Sequence, residues 1–339
     1  VVDAASLSVV GLFEVLGHIP RIYLEYRKMV AAARRERPAL AILTDSPDFH
    51  LRLAERYKQQ GIPVVYLVAP QVWAWRRGRI RSIKRNIDRL LCIFPFEEDF
   101  FRSHGVEAQY IGHPLAGLIR PSLSRDEFFE QFGLDGCRPV VSLLPGSRKG
   151  EAMRHLPVLL EAARMIAKQC PAQFLIALPS GFWAEGLIGL DKQAAVGATV
   201  IIGRTWDALS WSDLALAASG TVTVEAALLG TPVVTFYRVS QLTWTLGRPL
   251  VRVPFYSMVN LVAGRAVVPE LIQNDCNAEN LALQALRLLG DGDARRRMQQ
   301  DLNVVAERLR GRSDPLEQAA DVIRNLLKAE GLVDAEKNR

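Results

Sequence analysis

The chain lacks the patterns that mark several classes of protein. Its four cysteines have no C-x-x-C spacing, which favours reduced thiols in a cytosolic protein over a disulfide framework. The five histidines show no metal-ligand spacing, so we expect no metal site. The longest uncharged run, from Gln59 to Trp75, contains Gly61, Pro63 and Pro70, which excludes it as a membrane span.

The composition is that of a globular protein with an uneven charge. At 339 residues, with 49% hydrophobic and 23% charged side chains, the chain can form two cores. Residues 1–121 contain 18 lysines and arginines against 12 aspartates and glutamates, which accounts for the whole net charge of +6. We therefore expect a basic surface in the N-terminal part of the chain.

A strand, a glycine turn and a helix follow one another after residue 139. Apolar residues predict a buried parallel strand over 140–144, and Pro145 breaks it before leucines recur at helical spacing. Such a turn leaves backbone N–H groups at the carboxyl edge of the sheet, where α/β proteins bind anions. The residues that we expect to contact phosphate are Gly146, Ser147 and Arg148. A tight turn with a solvated arginine is the alternative.

A second strand-to-helix turn, Ser219-Gly220-Thr221, has the same pattern. An apolar strand near residue 214 leads into it, and the short helix that follows has Gly230 as its predicted C-cap. Thr221 and Glu225 are four residues apart and share one helix face. A diphosphate on the amides of this turn would leave Glu225 free to accept hydrogen bonds from ribose hydroxyls. The alternative is an ordinary surface glutamate.

The basic charge is concentrated in a segment that begins with Trp73 and Trp75. Four arginines follow the tryptophans, and they are Arg76, Arg77, Arg79 and Arg81. Aromatic rings beside basic side chains suit an anionic membrane surface or nucleic acid. A solvated basic helix is the alternative.

Short apolar strands alternate with helices along the chain, which predicts an α/β fold with parallel sheets. Four strands are predicted near residues 39, 63, 89 and 108, and five more near residues 140, 174, 199, 214 and 233. We predict two Rossmann-like domains, residues 1–121 and 122–312, that face each other across a cleft. A C-terminal helix within residues 313–339 is expected to pack back on the first domain.

Asp45 lies just beyond the first predicted strand, at the edge of the expected cleft. A carboxylate there can act as a general base on an acceptor hydroxyl, although aspartate is also common in turns. Asp48 follows Pro47 and precedes a helix, so we interpret it as an N-cap.

Five motifs, in this order, resemble the lipid-A-disaccharide synthase family. They are Asp45-Ser-Pro-Asp-Phe49, Pro70-Gln-Val-Trp-Ala-Trp75, Leu144-Pro-Gly-Ser-Arg148, Ser219-Gly-Thr221 with Glu225, and Asn260-Leu-Val-Ala-Gly-Arg265. Each motif alone is weak, but five in the family's order over nearly the whole chain are specific.

The resemblance implies an inverting, metal-independent glycosyltransferase of the type B fold, with two Rossmann-like domains. Such enzymes act on the cytoplasmic face of the inner membrane. They transfer 2,3-diacylglucosamine from UDP to the 6-hydroxyl of 2,3-diacylglucosamine 1-phosphate (lipid X), releasing UDP. The implied partners are the UDP-diacylglucosamine donor, the lipid X acceptor and an anionic membrane surface, with no cofactor and no nucleic acid. A homodimer is one assembly to test.

The resemblance also implies roles for single residues. Asp45 matches the candidate base, and Arg148 and Asn260 match residues important for activity. The residues implied in nucleotide binding are Gly146, Ser147, Arg148, Ser219, Gly220, Thr221, Glu225 and Arg265. The Trp73 segment, with its four arginines, is expected to face acyl chains or the membrane.

One part of the family pattern is not matched. Members open with a strand and a glycine-rich loop resembling G-E-x-S-G-D, and residues 1–17 do not resemble it. The N-terminal sheet is therefore predicted to be incomplete. We expect this chain to bind UDP but to show little disaccharide synthesis unless an upstream segment supplies the loop.

Other functions remain open on the sequence alone. The chain could be another enzyme of the same fold, such as the muramyl-pathway N-acetylglucosaminyltransferase or a UDP-sugar epimerase. Such an enzyme would share the nucleotide contacts expected of Gly220 and Glu225 but not the basic Trp73 segment. A non-catalytic nucleotide- or RNA-binding module would use the same charge. Against RNA, the aromatic residues cluster at one helix end instead of spreading over a sheet face.

Overall fold

The computed structural model describes residues 12–179, 197–251, 253–329 and 331. The chain forms two compact units, an N-terminal unit of residues 1–112 and 312–339 and a C-terminal unit of residues 113–311. The sequence placed this boundary at residue 121, whereas the structure divides the chain after Gly112. The His113 N–H donates to the carbonyl oxygen of Leu309 at 2.7 Å, which ties the following residues to the C-terminal unit. Residues 1–11, which belong to the segment that does not resemble the family's opening loop, lie outside the described residues.

The N-terminal unit contains a parallel sheet of four strands in the order β1-β2-β3-β4. The strands are β1 (Ala41–Thr44), β2 (Val64–Leu67), β3 (Arg89–Cys92) and β4 (Ala108–Tyr110). Its helices before the boundary are α1 (Leu12–Glu36), α2 (Pro47–Gln59), α3 (Ile80–Asn86) and α4 (Pro95–Ser103). In β2, Val64, Val65 and Tyr66 are fully buried, as expected for a parallel strand covered on both faces.

The C-terminal unit contains a parallel sheet of six strands in the order β10-β9-β8-β5-β6-β7. The strands are β5 (Val140–Leu144), β6 (Gln173–Leu178), β7 (Thr199–Ile202), β8 (Leu214–Ala218), β9 (Val233–Tyr237) and β10 (Glu270–Ile272). The helices are α5 (Leu115–Leu118), α6 (Arg125–Phe132), α7 (Lys149–Ala167), α8 (Thr205–Ser210), α9 (Thr221–Leu229), α10 (Gln241–Gly247), α11 (Met258–Ala263), α12 (Ala278–Gly290) and α13 (Gly292–Arg310). The predicted α/β fold with parallel sheets is confirmed.

The order of the strands creates a switch point in the C-terminal sheet. Strand β5 pairs with β6 on one side and with β8 on the other. The chain therefore runs outward through β6 and β7 before it returns to the other side of β5. Every residue of β5 and of β8 is buried. In open α/β sheets, the crevice above the carboxyl ends of two such strands is where ligands bind.

The last helix, α14 (Pro315–Ala329), belongs to the N-terminal unit. Its apolar face packs on residues of β2, of β3 and of the segment after β4, and the cluster comprises Val65, Leu91, Ile111, Ala319, Val322 and Leu326. Gln318 Nε2 also donates to the carbonyl oxygen of Ile111 at 3.0 Å. The spacing of Ala319, Val322 and Leu326 puts these three side chains on one helix face. Within the described ranges, no helix is both long enough and apolar enough to cross a membrane.

Candidate functional site

A cavity of about 510 Å³ lies in the C-terminal unit at the carboxyl edge of its sheet. The loops that follow β5, β6, β7 and β8 line it. Its wall includes Arg120, Ser122, Gly146, Ser147, Glu151, Arg204, Trp206, Asp207, Ser219, Gly220, Thr221 and Glu225. Its volume is that of a small-molecule site, and its place is the switch point beside β5 and β8.

The first turn of the cavity wall joins β5 to α7. Gly146 has a φ of 116°, and a Cβ built there would lie 2.5 Å from Oε2 of Glu151, so only glycine fits. Helix α7 then begins at Lys149, with Arg148 as its N-cap and no side chain capping its amides. The turn therefore leaves uncapped backbone N–H groups at the helix start, and their contact with an anion stays a prediction.

The second turn joins β8 to α9. Gly220 is the N-cap of α9, no side chain caps the helix, and Gly230 ends it in a left-handed conformation. Ser219 Oγ donates to the carbonyl oxygen of Tyr256 at 2.9 Å, which fixes the loop at the cavity wall. The first amides of α9 and its positive end therefore lie at the cavity.

Glu225 lines the cavity one turn along α9 from Thr221. Burial raises the pKa of its carboxyl group, and a hydrogen bond from the Trp206 side chain opposes that rise. This half-buried environment excludes the alternative of an ordinary surface glutamate. An ionised Glu225 could accept further hydrogen bonds from hydroxyl groups of a ligand.

The loop after β7 supplies wall residues that the sequence reasoning missed. Asp207 is 2% exposed and accepts hydrogen bonds from the backbone N–H groups of Ser122 at 2.7 Å and Leu123 at 2.8 Å. Arg204 Nη1 donates to Ser122 Oγ at 2.9 Å. Together they hold the segment after Arg120 along the cavity. The sequence did contain a signal for Arg204, because this residue follows a predicted strand, as Arg148 does.

Arg148 lies beside the cavity but outside its wall. It is exposed at the N-terminus of α7, whereas Arg120 and Arg204 are the arginines of the wall. Any contact of Arg148 with a ligand in this cavity therefore needs its side chain to turn inward.

Asn260 does not have the free amide that a catalytic role would need. The residue is 1% exposed, and its Oδ1 accepts from the N–H groups of Val267 at 2.7 Å and Val268 at 3.0 Å. Its Nδ2 donates to the Val268 carbonyl oxygen at 3.0 Å and to Glu270 Oε1 at 2.7 Å. These four bonds use the whole capacity of the amide. We therefore correct the predicted catalytic role of Asn260 to a structural one, in which it holds the loop between α11 and β10.

Arg265 is not part of the cavity wall either. Its Nη2 lies 2.5 Å from Asp301 Oδ1, and 61% of the arginine side chain is exposed. The predicted nucleotide contact is therefore corrected to a surface ion pair.

In the N-terminal unit, Asp45 is exposed directly after β1. Asp45 and Ser46 both have left-handed backbones, with φ of 55° and 39°. The Asp45 carbonyl oxygen accepts from the Tyr66 hydroxyl at 2.5 Å and from His50 Nδ1 at 2.8 Å. The fold therefore fixes the backbone of Asp45 while its carboxylate faces solvent. Such strain concentrates at functional sites.

Asp48 is not the N-cap that we expected. Ser46 occupies that position, and the Asp48 carboxylate instead pairs with Arg76 at 2.8 Å and with Arg79. Burial opposes ionisation of Asp48, but the hydrogen bonds and charges of Arg79 and Arg76 lower its pKa below the ordinary value.

Trp73 lies in the interior, so its predicted contact with a membrane is wrong. It is 8% exposed, and its Nε1 donates to Oε1 of the buried Glu97 at 2.9 Å. Trp75, by contrast, is 41% exposed, and the Arg76 guanidinium lies 4.4 Å from its ring centroid. Of the four arginines, Arg77 and Arg81 are exposed, whereas Arg76 and Arg79 pair with Asp48.

The sequence model of the Lipid-A-disaccharide synthetase family matches residues 1–322. The lipid-A-disaccharide synthase of Solibacter usitatus is 57% identical over 330 residues, covering 97% of this chain and 86% of the relative. That of Syntrophus aciditrophicus is 42% identical, covering 96% of this chain and 85% of the relative. These matches confirm the resemblance seen in the five motifs.

Solved structures also have folds similar to that of this chain. A putative UDP-N-acetylglucosamine 2-epimerase from Listeria monocytogenes has a TM-score of 0.62 and 13% identity, covering 93% of this chain and 80% of that chain. The co-structure of S. aureus MnaA with UDP has a TM-score of 0.65 and 10% identity, covering 96% of this chain and 84% of that chain. At these identities the likeness concerns the fold alone, and it agrees with two Rossmann-like domains.

The family match and the names of the relatives favour disaccharide synthesis over an epimerase or a non-catalytic binding module. The chain therefore belongs to the Lipid-A-disaccharide synthetase family, and its activity is that of a lipid-A-disaccharide synthase.

Proposed function

We propose that the cavity of the C-terminal unit binds UDP-2,3-diacylglucosamine, and that the chain transfers this sugar to the 6-hydroxyl of lipid X. The observation that carries the proposal is the position of the cavity at the switch point, where the uncapped N-termini of α7 and α9 meet it. A protein of similar fold, S. aureus MnaA, has been solved together with UDP.

We assign the diphosphate to the backbone amides of the two turns, Gly146-Ser147 and Gly220-Thr221. Arg120 and Arg204 lie in the same wall and would balance the charge of the diphosphate. Arg148 is assigned to the phosphate nearest α7, a contact that stays a prediction. Because amides and arginines can stabilise the charge that develops on UDP as it leaves, the proposal needs no metal ion.

We assign the ribose hydroxyls to Glu225. Its carboxylate faces the cavity one turn from the proposed diphosphate site and already accepts a hydrogen bond from Trp206. Because burial raises the pKa of Glu225, UDP affinity should weaken as falling pH protonates this carboxylate.

In the transfer step, the 6-oxygen of the acceptor bonds to the anomeric carbon while the bond from that carbon to UDP breaks. The proton of the hydroxyl must pass to a base, and we assign this role to Asp45. Its exposed carboxylate lies at the carboxyl end of β1, the edge at which parallel sheets bind substrates.

The other predicted partners also stay proposals. We propose that Trp75, Arg77 and Arg81 face an anionic membrane surface, with the enzyme peripheral on the cytoplasmic side of the inner membrane. The homodimer stays a prediction that analytical ultracentrifugation tests.

The assignment of Asp45 is tested with Asp45→Asn, which removes the basicity and almost no volume. The assay follows the formation of disaccharide and UDP from the donor and the acceptor. We expect the rate to fall by about 100-fold or more, the usual contribution of a general base, with UDP affinity unchanged.

Asp48→Asn is the matched control, because Asp48 lies in the same motif and its carboxylate pairs with arginines. It should retain most of the rate. A parallel loss of rate and UDP affinity in Asp45→Asn would assign Asp45 to nucleotide binding. Conversion of UDP-N-acetylglucosamine without an acceptor would favour the epimerase alternative.

A further inference from the structure

Three leucines in the segment after β9 form an exposed ridge on the C-terminal unit. Leu242, Leu246 and Leu250 are 71%, 66% and 64% exposed, and no other large hydrophobic side chain in the described part of the chain is as exposed as these. Leu242 and Leu246 are four residues apart in α10 and share one helix face, and Leu250 follows at the end of the next 3-10 turn. We call residues 238–251 and 253–256 the leucine-ridge segment.

The opposite face of the leucine-ridge segment is held in place. Ser240 Oγ caps α10 by accepting from the Thr243 N–H at 3.2 Å. The Trp244 ring packs on the Tyr256 ring with a centroid distance of 6.0 Å, and the Arg248 guanidinium lies 5.8 Å from the Trp244 centroid. The ridge is therefore an ordered element whose leucines point away from their own core.

The leucine-ridge segment lies at the cavity-bearing edge of the sheet. It begins at the carboxyl end of β9, the same edge at which β5 and β8 end in the cavity wall. Its far end is fixed by Ser219, a cavity-wall residue whose Oγ donates to the Tyr256 carbonyl oxygen at 2.9 Å.

The stretch of sequence that contains the ridge carries charge of one sign. Residues 226–269 contain four arginines and no aspartate or glutamate. Arg238 and Arg248 are the exposed arginines of the leucine-ridge segment, and the Arg248 guanidinium lies over the Trp244 ring. The next acidic residue, Glu270, accepts from the backbone N–H groups of Tyr256 and Ser257 at 2.8 and 3.0 Å. A second copy of the chain would bring the same positive charge against this surface, whereas an anionic bilayer complements it.

We infer that the leucine-ridge segment is a contact surface for an anionic membrane. The leucines enter the boundary between headgroups and acyl chains, and Arg238 and Arg248 contact lipid phosphates. The inference rests on the proposed function in one respect: a ridge beside the cavity lets the acyl chains of the donor stay in the bilayer while its nucleotide occupies the cavity.

The test is co-sedimentation of the full chain with vesicles of phosphatidylcholine, with and without phosphatidylglycerol. In the Leu242→Ser, Leu246→Ser, Leu250→Ser triple variant we expect the partition coefficient to fall by about 100-fold or more, because three exposed leucines lose their burial in lipid. Arg238→Gln with Arg248→Gln should weaken binding only to vesicles that contain phosphatidylglycerol.

Leu283→Ser is the matched control, since Leu283 is 62% exposed on α12 and should not change partitioning. Equal binding by the triple variant and the parent chain would overturn the inference, as would an equal loss in Leu283→Ser. A change from dimer to monomer in the triple variant, with vesicle binding unchanged, would overturn it in favour of an interface between copies.

The stabilisation of each variant by UDP separates this inference from the proposed function. Lost vesicle binding with an unchanged UDP-induced rise in Tm supports the ridge. A parent chain that UDP does not stabilise contradicts the proposed function alone, because vesicle binding is measured without nucleotide.

Discussion

At the scale of the residue, Glu97 shows how the fold sets the charge of a side chain. It is fully buried, and its two oxygens accept from Trp73 Nε1 and from the N–H groups of Ile93 and Phe94. Burial raises the pKa of Glu97 from its ordinary 4.5 to about 7, although these hydrogen bonds favour the ionised form. The folded state therefore binds the proton more tightly than the unfolded chain does.

The sign of the resulting pH dependence follows from linkage. Protonated Glu97 contributes to the free energy of unfolding, and this contribution is fully present below pH 4.5 and is lost as pH rises through about 7. Over this pH range the free energy of unfolding should fall by up to about 3 kcal/mol as Glu97 ionises. Glu97→Gln should remove this fall, because glutamine does not ionise. Urea unfolding at several pH values between these limits measures the slope, and Glu98→Gln, at a partly exposed neighbour, is the control. An unchanged slope in Glu97→Gln would show that Glu97 does not titrate in this range.

The residue types indicated which interactions each side chain could make. They did not indicate whether its polar atoms already form hydrogen bonds within the protein. Glu225 was predicted to face a ligand because helix periodicity fixes its position relative to Thr221. Asn260 and Trp73 matched motifs equally well, yet their polar atoms are taken up by Val267, Val268, Glu270 and Glu97. Those partners depend on loop paths that no local pattern encodes.

At the scale of the element, the turn between β5 and α7 depends on one glycine. Gly146→Ala would add a methyl group against the Glu151 carboxylate at a φ that alanine rarely adopts. We expect a loss of about 1–3 kcal/mol in the free energy of unfolding and weaker UDP binding. Gly150→Ala, inside α7 with no atom near the new Cβ, is the control and should be neutral or stabilising by up to about 1 kcal/mol. Equal effects of the two changes would contradict this account.

Regular elements with strong periodicity were predictable, and irregular ones were not. The C-terminal helix, α14, lies within the range predicted for it, residues 313–339, and proline marks its start. Strand β10 was missed, since three residues that include Glu270 carry no alternation. Helix α10 was missed because its leucines face outward, whereas helices are predicted from an apolar face that packs on the core.

At the scale of the whole molecule, the alternation of strands and helices fixed the fold class but not where the units divide. The boundary was predicted at residue 121. The division lies after Gly112 because α5 packs within the C-terminal unit and Asp207 holds Ser122 there. Long-range contacts of this kind, between residues far apart in the chain, are invisible to a local reading.

The most direct test of the central claim is UDP binding in the cavity of the C-terminal unit, measured as the rise in Tm with UDP concentration. We predict that UDP stabilises the chain and that Arg204→Gln, in the cavity wall, weakens its affinity by about 10-fold or more. Arg265→Gln, in a surface ion pair away from the wall, should bind UDP as the parent chain does. No rise in Tm with UDP, or an equal loss of affinity in both variants, would contradict the account.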